Sequence, residues 1–383
     1  MEAQPSIDKE ILLTCFNGIS DPRGSNARHP LQSVLFIALC AVISGAESWD
    51  DMELYALSKK EWLLAMLPLP HGLPSDDTYR RVLSALSPAS FETAFQRWIK
   101  SIVSCLAGDI IPIDGKQIRG AFRCGAENVI HQVSAWSCAH QLVLGQVKTN
   151  DKSNEITAIP ELLKLLDIKG ATITIDAMGT QKAIAQQIIE QKGDYLLALK
   201  GNHETLHDSV KDYFNHLTTP VGQRLRPPAD FYESVDKGHG RLEQRRCWVV
   251  QSLDWLEQRE SWQGLCSLIK LESSREILST GQRSTEVRYY ISSLNESAQV
   301  IEHKIRRHWE IENKLHWTLD VSFGEDASSI HDENAAQNFS LLRKIAMTLL
   351  RQDTSKGSIK GKRKKVGWDN DFLLQVIFQA NFK

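Results

Sequence analysis

Asp114 closes the apolar run Ile110-Ile111-Pro112-Ile113, and Asp176 closes Ala171-Thr172-Ile173-Thr174-Ile175. Glu312 lies inside the aromatic, basic segment Arg306-Arg307-His308-Trp309-Glu310-Ile311-Glu312-Asn313. Two strand-end aspartates and one helical glutamate supply hard oxygen donors, which a pair of divalent cations about 3.5–4 Å apart requires. Such a pair activates one oxygen and stabilises another as it leaves, which is the chemistry of phosphodiester transfer. Carboxylates alone do not decide the matter. The chain carries 47 Asp and Glu, and most apolar–Asp junctions are solvated strand ends.

At helical pitch Glu312 shares its face with His308, Trp309, Leu315 and His316. Glu310 lies about 160° away on the wheel and Arg307 about 140° away, so Glu312 is the better catalytic choice. His308, Glu312 and His316 at i, i+4 and i+8 also fit a helix-borne transition-metal site, which makes a zinc or manganese hydrolase the competing reading. The plainer alternative is that both imidazoles pack against neighbouring helices. Asp320 and Asp326 read as helix-end or packing residues.

The elements that must position these groups follow from periodicity. Residues 1–106 read as an all-helical N-terminal domain. Ser75 begins a short helix with Tyr79, Val82, Leu83 and Leu86 on one face, and Ser87-Pro88 starts another. Arg80 and Arg81 are either DNA contacts of a helix-turn-helix or a solvated face. From 109 the pattern changes to strands, at 110–114, 129–137 and 141–148. A helix at 154–166, a strand at 171–176, a helix at 179–191 and a strand at 194–200 follow. The order β-β-β-α-β-α-β is that of an α/β RNase H-like core: a mixed five-stranded sheet with flanking helices. Strand-like runs at 247–251, 265–271 and 286–294 mark a β-rich insertion over about 225–295. One long helix is expected over 297–319 and another over 334–352. The catalytic domain thus spans 107–352, and 353–383 is a basic C-terminal tail with a short helix.

Composition sets limits. The 383 residues carry a formal net charge of −2, so any surface for a polyanion is local. Residues 355–365 hold six positive charges and no negative one. That run either tracks a phosphate backbone or is a flexible solubilising linker. Seven scattered Cys without a CxxC pair exclude a disulfide framework and a Cys-rich zinc site. The longest apolar run, 34–43, is too short to span a bilayer. A reducing, cytoplasmic setting is expected.

Ile113-Asp114-Gly115-Lys116-Gln117-Ile118-Arg119 resembles the first catalytic motif of the H-repeat-associated family of bacterial insertion-sequence DDE transposases. Lys152-Ser153-Asn154-Glu155-Ile156-Thr157-Ala158-Ile159-Pro160 and Asp176-Ala177-Met178-Gly179 resemble later motifs. So do Gly193-Asp194-Tyr195-Leu196 with Lys200-Gly201-Asn202, and Lys237-Gly238-His239-Gly240-Arg241. The fullest match is 308–317 with Leu319-Asp320-Val321, and the likeness covers nearly the whole chain.

The resemblance implies a transposase that cleaves and joins DNA strands at element ends with Mg²⁺ or Mn²⁺. It implies Asp114, Asp176 and Glu312 as catalytic metal ligands, double-stranded DNA as partner, and a homodimer in the DNA complex. Lys116, Arg119, Lys200, Arg241 and Lys314 would hold phosphates, with His239 and His308 also near DNA. The tail cations Lys362, Arg363, Lys364 and Lys365 complete the candidate DNA contacts. The segment Ser328-Ser329-Ile330-His331-Asp332-Glu333 is acidic where relatives tend to be basic, which argues against a backbone contact there. A catalytically silent DNA-binding relic is the remaining alternative, and losing a carboxylate would favour it; none is lost.

Overall fold

The computed structural model describes residues 16, 18–103, 105–118, 130–149, 155–217, 219, 229–238 and 240–378. Helices α1 (Leu31–Ser44), α2 (Trp49–Ser58), α3 (Lys60–Met66), α4 (Asp76–Ala85) and α5 (Pro88–Ile102) come first. The run 34–43 lies in α1 and is at most 2% exposed, as a helix apolar on every face requires. A capping box starts α2: Ser48 accepts from the Asp51 amide at 3.1 Å, and Asp51 accepts from the Ser48 amide at 3.0 Å. Ser87 caps α5 ahead of Pro88.

The sheet contains β1 (Ile110–Ile118), β2 (Ile130–Ser137), β3 (Leu142–Thr149), β4 (Thr172–Ile175) and β5 (Asp194–Leu199). Helix α6 (Glu155–Leu165) joins β3 to β4, α7 (Lys182–Glu190) joins β4 to β5, and α8 (Glu204–Leu217) follows. Strands β1, β2 and β3 are antiparallel, and β1, β4 and β5 are parallel, giving the RNase H-like order β3-β2-β1-β4-β5. The expected insertion does not stand apart. Strands β6 (Asp230–Gly238), β7 (Arg241–Val250), β8 (Ser267–Ile277) and β9 (Gln282–Ser292) continue the same sheet, because β9 pairs antiparallel with β5. Among the described residues the five-stranded sheet therefore becomes one of nine strands, ending β5-β9-β8-β7-β6. Leu268, Ile269 and Ile291 are buried at the β5 end, while the far ends of these strands are exposed.

Two boundaries differ in ways that matter for chemistry. β1 runs on to Ile118, so Asp114 sits in mid-strand rather than at its end. The helix expected over 297–319 is three pieces: α9 (Ala298–His308), a wider π-helical turn (Ile311–His316) and α10 (Trp317–Phe323).

After α11 (Glu333–Gln352), the tail folds as α12 (Ile359–Trp368) and α13 (Asn370–Phe378). This corrects the reading of Lys362 and Arg363 as solvated DNA contacts: they are only 7% and 6% exposed. Each caps helix ends whose last carbonyls lack a partner in their own helix. Lys362 Nζ donates to Leu350 O at 3.3 Å and pairs with Asp353 Oδ2 at 2.9 Å, at the end of α11. Arg363 donates to Val42 O at 2.8 Å and to Ser322 O, and stacks 4.2 Å from the Phe323 ring centroid. The flexible-linker reading fails with it. Lys364 and Lys365 remain exposed. No single helix among the described residues is long and apolar enough to cross a membrane.

Candidate active site

Parallel pairing sets Ile113 against Ile175, so Asp114 and Asp176 are the next residues along adjacent strands. The turn after β4 fixes Asp176: its Oδ1 accepts from the Met178 and Gly179 amides at 3.1 and 3.2 Å. Thr180 holds that turn to β5 by donating to the Asp176 and Ala198 carbonyls. Glu312 comes from the π-helical turn. Such turns are rare and concentrate at functional sites. Arg351 of α11 braces this one, donating to Lys314 O and, at 3.2 Å, to Thr318 Oγ1.

All three carboxylates line one cavity of about 220 Å³. Lys200, Arg288, Tyr290, His308 and Trp309 line it too. Burial, then the charges of Glu155, Glu312 and Asp176, push Asp114 up to about 7. Burial raises Glu312 as well, against the pull of Arg288. Among the described residues no group of three or more His, Cys, Asp or Glu side chains is arranged closely enough to hold a metal ion.

The Asp114 shift has a consequence for the metal-free protein. The native state binds this proton more tightly than the unfolded chain does. Its contribution to stability is full below about pH 4, the ordinary aspartate range, and is lost as pH rises through about 7. Thermal unfolding in chelator is therefore expected to show wild type losing stability between pH 5 and 7.5 relative to Asp114→Asn. Parallel curves for the two proteins would contradict the shift.

The histidines divide. His308 lines the cavity, with Nδ1 2.9 Å from Thr174 Oγ1, and burial brings it down to about 4 despite Asp176. His316 Nδ1 is 3.5 Å from Asp114 Oδ2, and burial with the Lys344 and Lys116 charges brings it to about 3. The hydrolase reading required a site without Asp114, whereas Asp114 shares the cavity of His308 and Glu312. Glu310 faces elsewhere, pairing with Arg307 and Lys314 at 3.0 Å each.

Lys116 corrects a sequence expectation. It is not free to hold a phosphate, because Asp320, Glu325 at 2.7 Å and Asp326 at 3.4 Å surround its ammonium group. Asp320 and Asp326 thus serve packing. Lys200 is exposed at the cavity. Lys314 is tied to Glu310, and Arg241 is exposed at the tip of the β6–β7 hairpin. Arg80 and Arg81 both pair with Asp77. Arg119 and His239 lie outside the described residues.

Sequence reasoning did not single out Arg288, whose guanidinium carbon lies 4.8 Å from the Trp309 ring centroid. The same four side chains, Arg288, Ile305, Trp309 and Glu312, line a second groove that runs along β7, β8 and β9. Alternating polar strands such as 282–288 gave no sign of reaching the site. Only the sheet pairing of β9 with β5 brings Arg288 there.

Comparison with known proteins places the chain in a family. The family described as "Transposase DDE domain" matches residues 107–349, and "DDE_Tnp_1-associated" matches 13–99. The chain is 42% identical over 354 residues to "H repeat-associated putative transposase YhhI" of Escherichia coli K12, covering 91% of this chain and 92% of that one. It is also 42% identical over 357 residues to "Putative transposase YncI" of Escherichia coli O157:H7, covering 91% and 90%. A shorter relative, "Inactive transposase YbfQ" of E. coli K12, is 39% identical over 56 residues, 15% of this chain and 67% of that one. With two aspartates on neighbouring strands, a glutamate on a helical turn and these relatives, the chain belongs to the H-repeat-associated family of DDE transposases.

Proposed function

We propose that this transposase cleaves and rejoins DNA at the ends of its own insertion sequence, using Asp114, Asp176 and Glu312 with Mg²⁺ or Mn²⁺. The single observation that carries the reading is the convergence of these three carboxylates on one cavity. The donor set fits a hard divalent cation by its chemistry: all oxygen, with Asp114 pushed up first by burial and then by its acidic neighbours. When bound, the metal supplies Lewis-acid activation of the attacking oxygen and stabilisation of the leaving one.

The chain's own residues do the rest. Asp114 and Asp176, on hydrogen-bonded neighbouring strands, hold the fixed side of the ligand set. Glu312, exposed on its turn, closes the other side. Lys200 and Arg288 position the phosphate by charge rather than read bases. The β7–β9 groove leads duplex DNA towards the cavity. The test is incubation of purified protein with duplexes bearing its flanking ends and Mg²⁺, scored for nicks and joined products. Cleavage that needs the carboxylates and the metal supports the reading; cleavage indifferent to them overturns it.

Of the tail cations, Lys364 and Lys365 remain as phosphate contacts. Their replacement by Ala should weaken cognate and random duplexes alike. It should also flatten the slope of log affinity against log salt by up to about 0.9 for each phosphate that is no longer neutralised. An unchanged slope would remove the tail from the DNA interface.

A further inference from the structure

Glu286 and Arg288 stand two residues apart on β9 and so project from the same face of the strand. Arg288 Nε donates to Glu286 Oε1 at 2.7 Å, and Nη2 donates to Oε2 at 2.8 Å. This pair of parallel bonds uses the guanidinium edge that suits a carboxylate and a phosphate alike. The Trp309 ring lies against the same guanidinium. Arg288 lines both the carboxylate cavity and the β7–β9 groove, and Glu286 lines the groove.

The pattern extends along the groove, where each lining arginine holds a carboxylate. Arg245 pairs with Asp236 at 2.8 Å, Arg275 with Glu243 at 2.9 Å and Arg306 with Asp236 at 2.9 Å. A surface that is to receive a polyanion is already neutralised by the chain's own acids. Glu286 differs in holding the arginine that the groove shares with the cavity. Hydrogen bonds from Arg288 hold its carboxyl below the usual range, and the Lys200 charge adds to the pull. The Glu286 side chain is 59% exposed, so a carboxylate released from the Arg288 fork returns to water at little cost.

We propose that Glu286 is a built-in competitor of the DNA phosphate: its carboxylate occupies the Arg288 fork in the free protein, and a phosphate of the bound duplex displaces it. The inference rests on the proposed assignment of Arg288 to phosphate. The simpler role for an exposed acid beside a DNA path is general repulsion, which involves no particular arginine.

The experiment measures affinity for a random-sequence duplex and for one bearing the element end, in chelator and across a salt series. The proteins are wild type, Glu286→Gln, Arg288→Gln and the double variant, with circular dichroism to confirm folding. Glu286→Gln is expected to bind both duplexes about two- to fivefold tighter, the scale of a part-exposed ion pair. Its slope of log affinity against log salt should steepen by up to about 0.9, because one more cation is free for a phosphate. In the Arg288→Gln background the same substitution should give no gain. An equal gain in both backgrounds reduces Glu286 to general repulsion and overturns the proposal. Unchanged or weaker binding in Glu286→Gln also overturns it. Either result leaves Arg288 as a phosphate contact if Arg288→Gln alone weakens binding. Unchanged binding in Arg288→Gln overturns that assignment and the competitor role together. If Arg288→Gln does not fold, Arg288→Lys replaces it, keeping the charge without the fork. The gain should then shrink, and an undiminished gain overturns the proposal.

Discussion

Replacing any one of Asp114, Asp176 or Glu312 by its amide should cut DNA cleavage about 10³-fold or more, because a metal ligand set contributes several kcal/mol of transition-state charge stabilisation. Each amide keeps the shape of the side chain and removes the charge. Binding to duplexes bearing the element ends should stay within a few-fold, since the proposal assigns the phosphate contacts to Lys200, Arg288 and their neighbours. The three groups act as a unit, so a double amide variant should be hardly worse than a single one. Glu310→Gln is the control. It faces Gln141, Arg307 and Lys314 instead of the cavity, so cleavage should survive. Single-turnover cleavage and filter binding, run in parallel, check both halves. Loss of cleavage in Glu310→Gln with activity kept in Glu312→Gln would reassign the catalytic glutamate.

The second large effect concerns stability. Lys116→Met should destabilise the fold by about 3–5 kcal/mol, the range found when one partner of a buried ion pair is removed. The reason is Glu325, which is 1% exposed. Burial alone would raise its pKa, yet Lys116, Lys344 and Arg343 hold it down to about 2. Without Lys116 a buried carboxylate faces Asp320 and Asp326 with less positive charge to offset it. Glu325→Gln added to Lys116→Met should recover part of the loss, because the orphaned charge goes too. Denaturant unfolding of the wild type, both single variants and the double variant gives the coupling directly. Additive losses would mean that the pair is not the stabilising contact.

Much of the core was legible for physical reasons. The runs at 110–113 and 172–175 are apolar without alternation because their strands are buried on both faces. Their aspartates stand out against that background. The strand at 230–238 was not legible, because nearly every residue in it is exposed and none carries a hydrophobic pattern. Nor was the π-helical turn, since adding one residue to a helical turn changes hydrogen bonding but not residue type. An ideal wheel put Glu312, and not Glu310, on the face of His308, and Glu312 and His308 do line one cavity despite the widening. The wheel wrongly suggested that Glu312, His308 and His316 could share one metal, while the structure turns His316 onto Asp114. Lys362 and Arg363 misled most. A run of cations reads as solvated, and nothing in its spacing reveals that two of them meet the ends of three other helices.

Those buried cations bear on how the chain is made. Helix α1 is made long before α11 and α12, and its run at 34–43 is apolar all round. Much of its covering arrives in α11 and α12, with Arg363 reaching the Val42 carbonyl across 321 residues of sequence. Until those two helices are made, the part of α1 that they cover is open, although α2 and α4 already pack on its other side. A frameshift that removed α12 would leave Asp114, Asp176 and Glu312 encoded, yet it would remove the Arg363 contacts to the ends of α1 and α10. Proteases, rather than loss of chemistry, would then silence that copy.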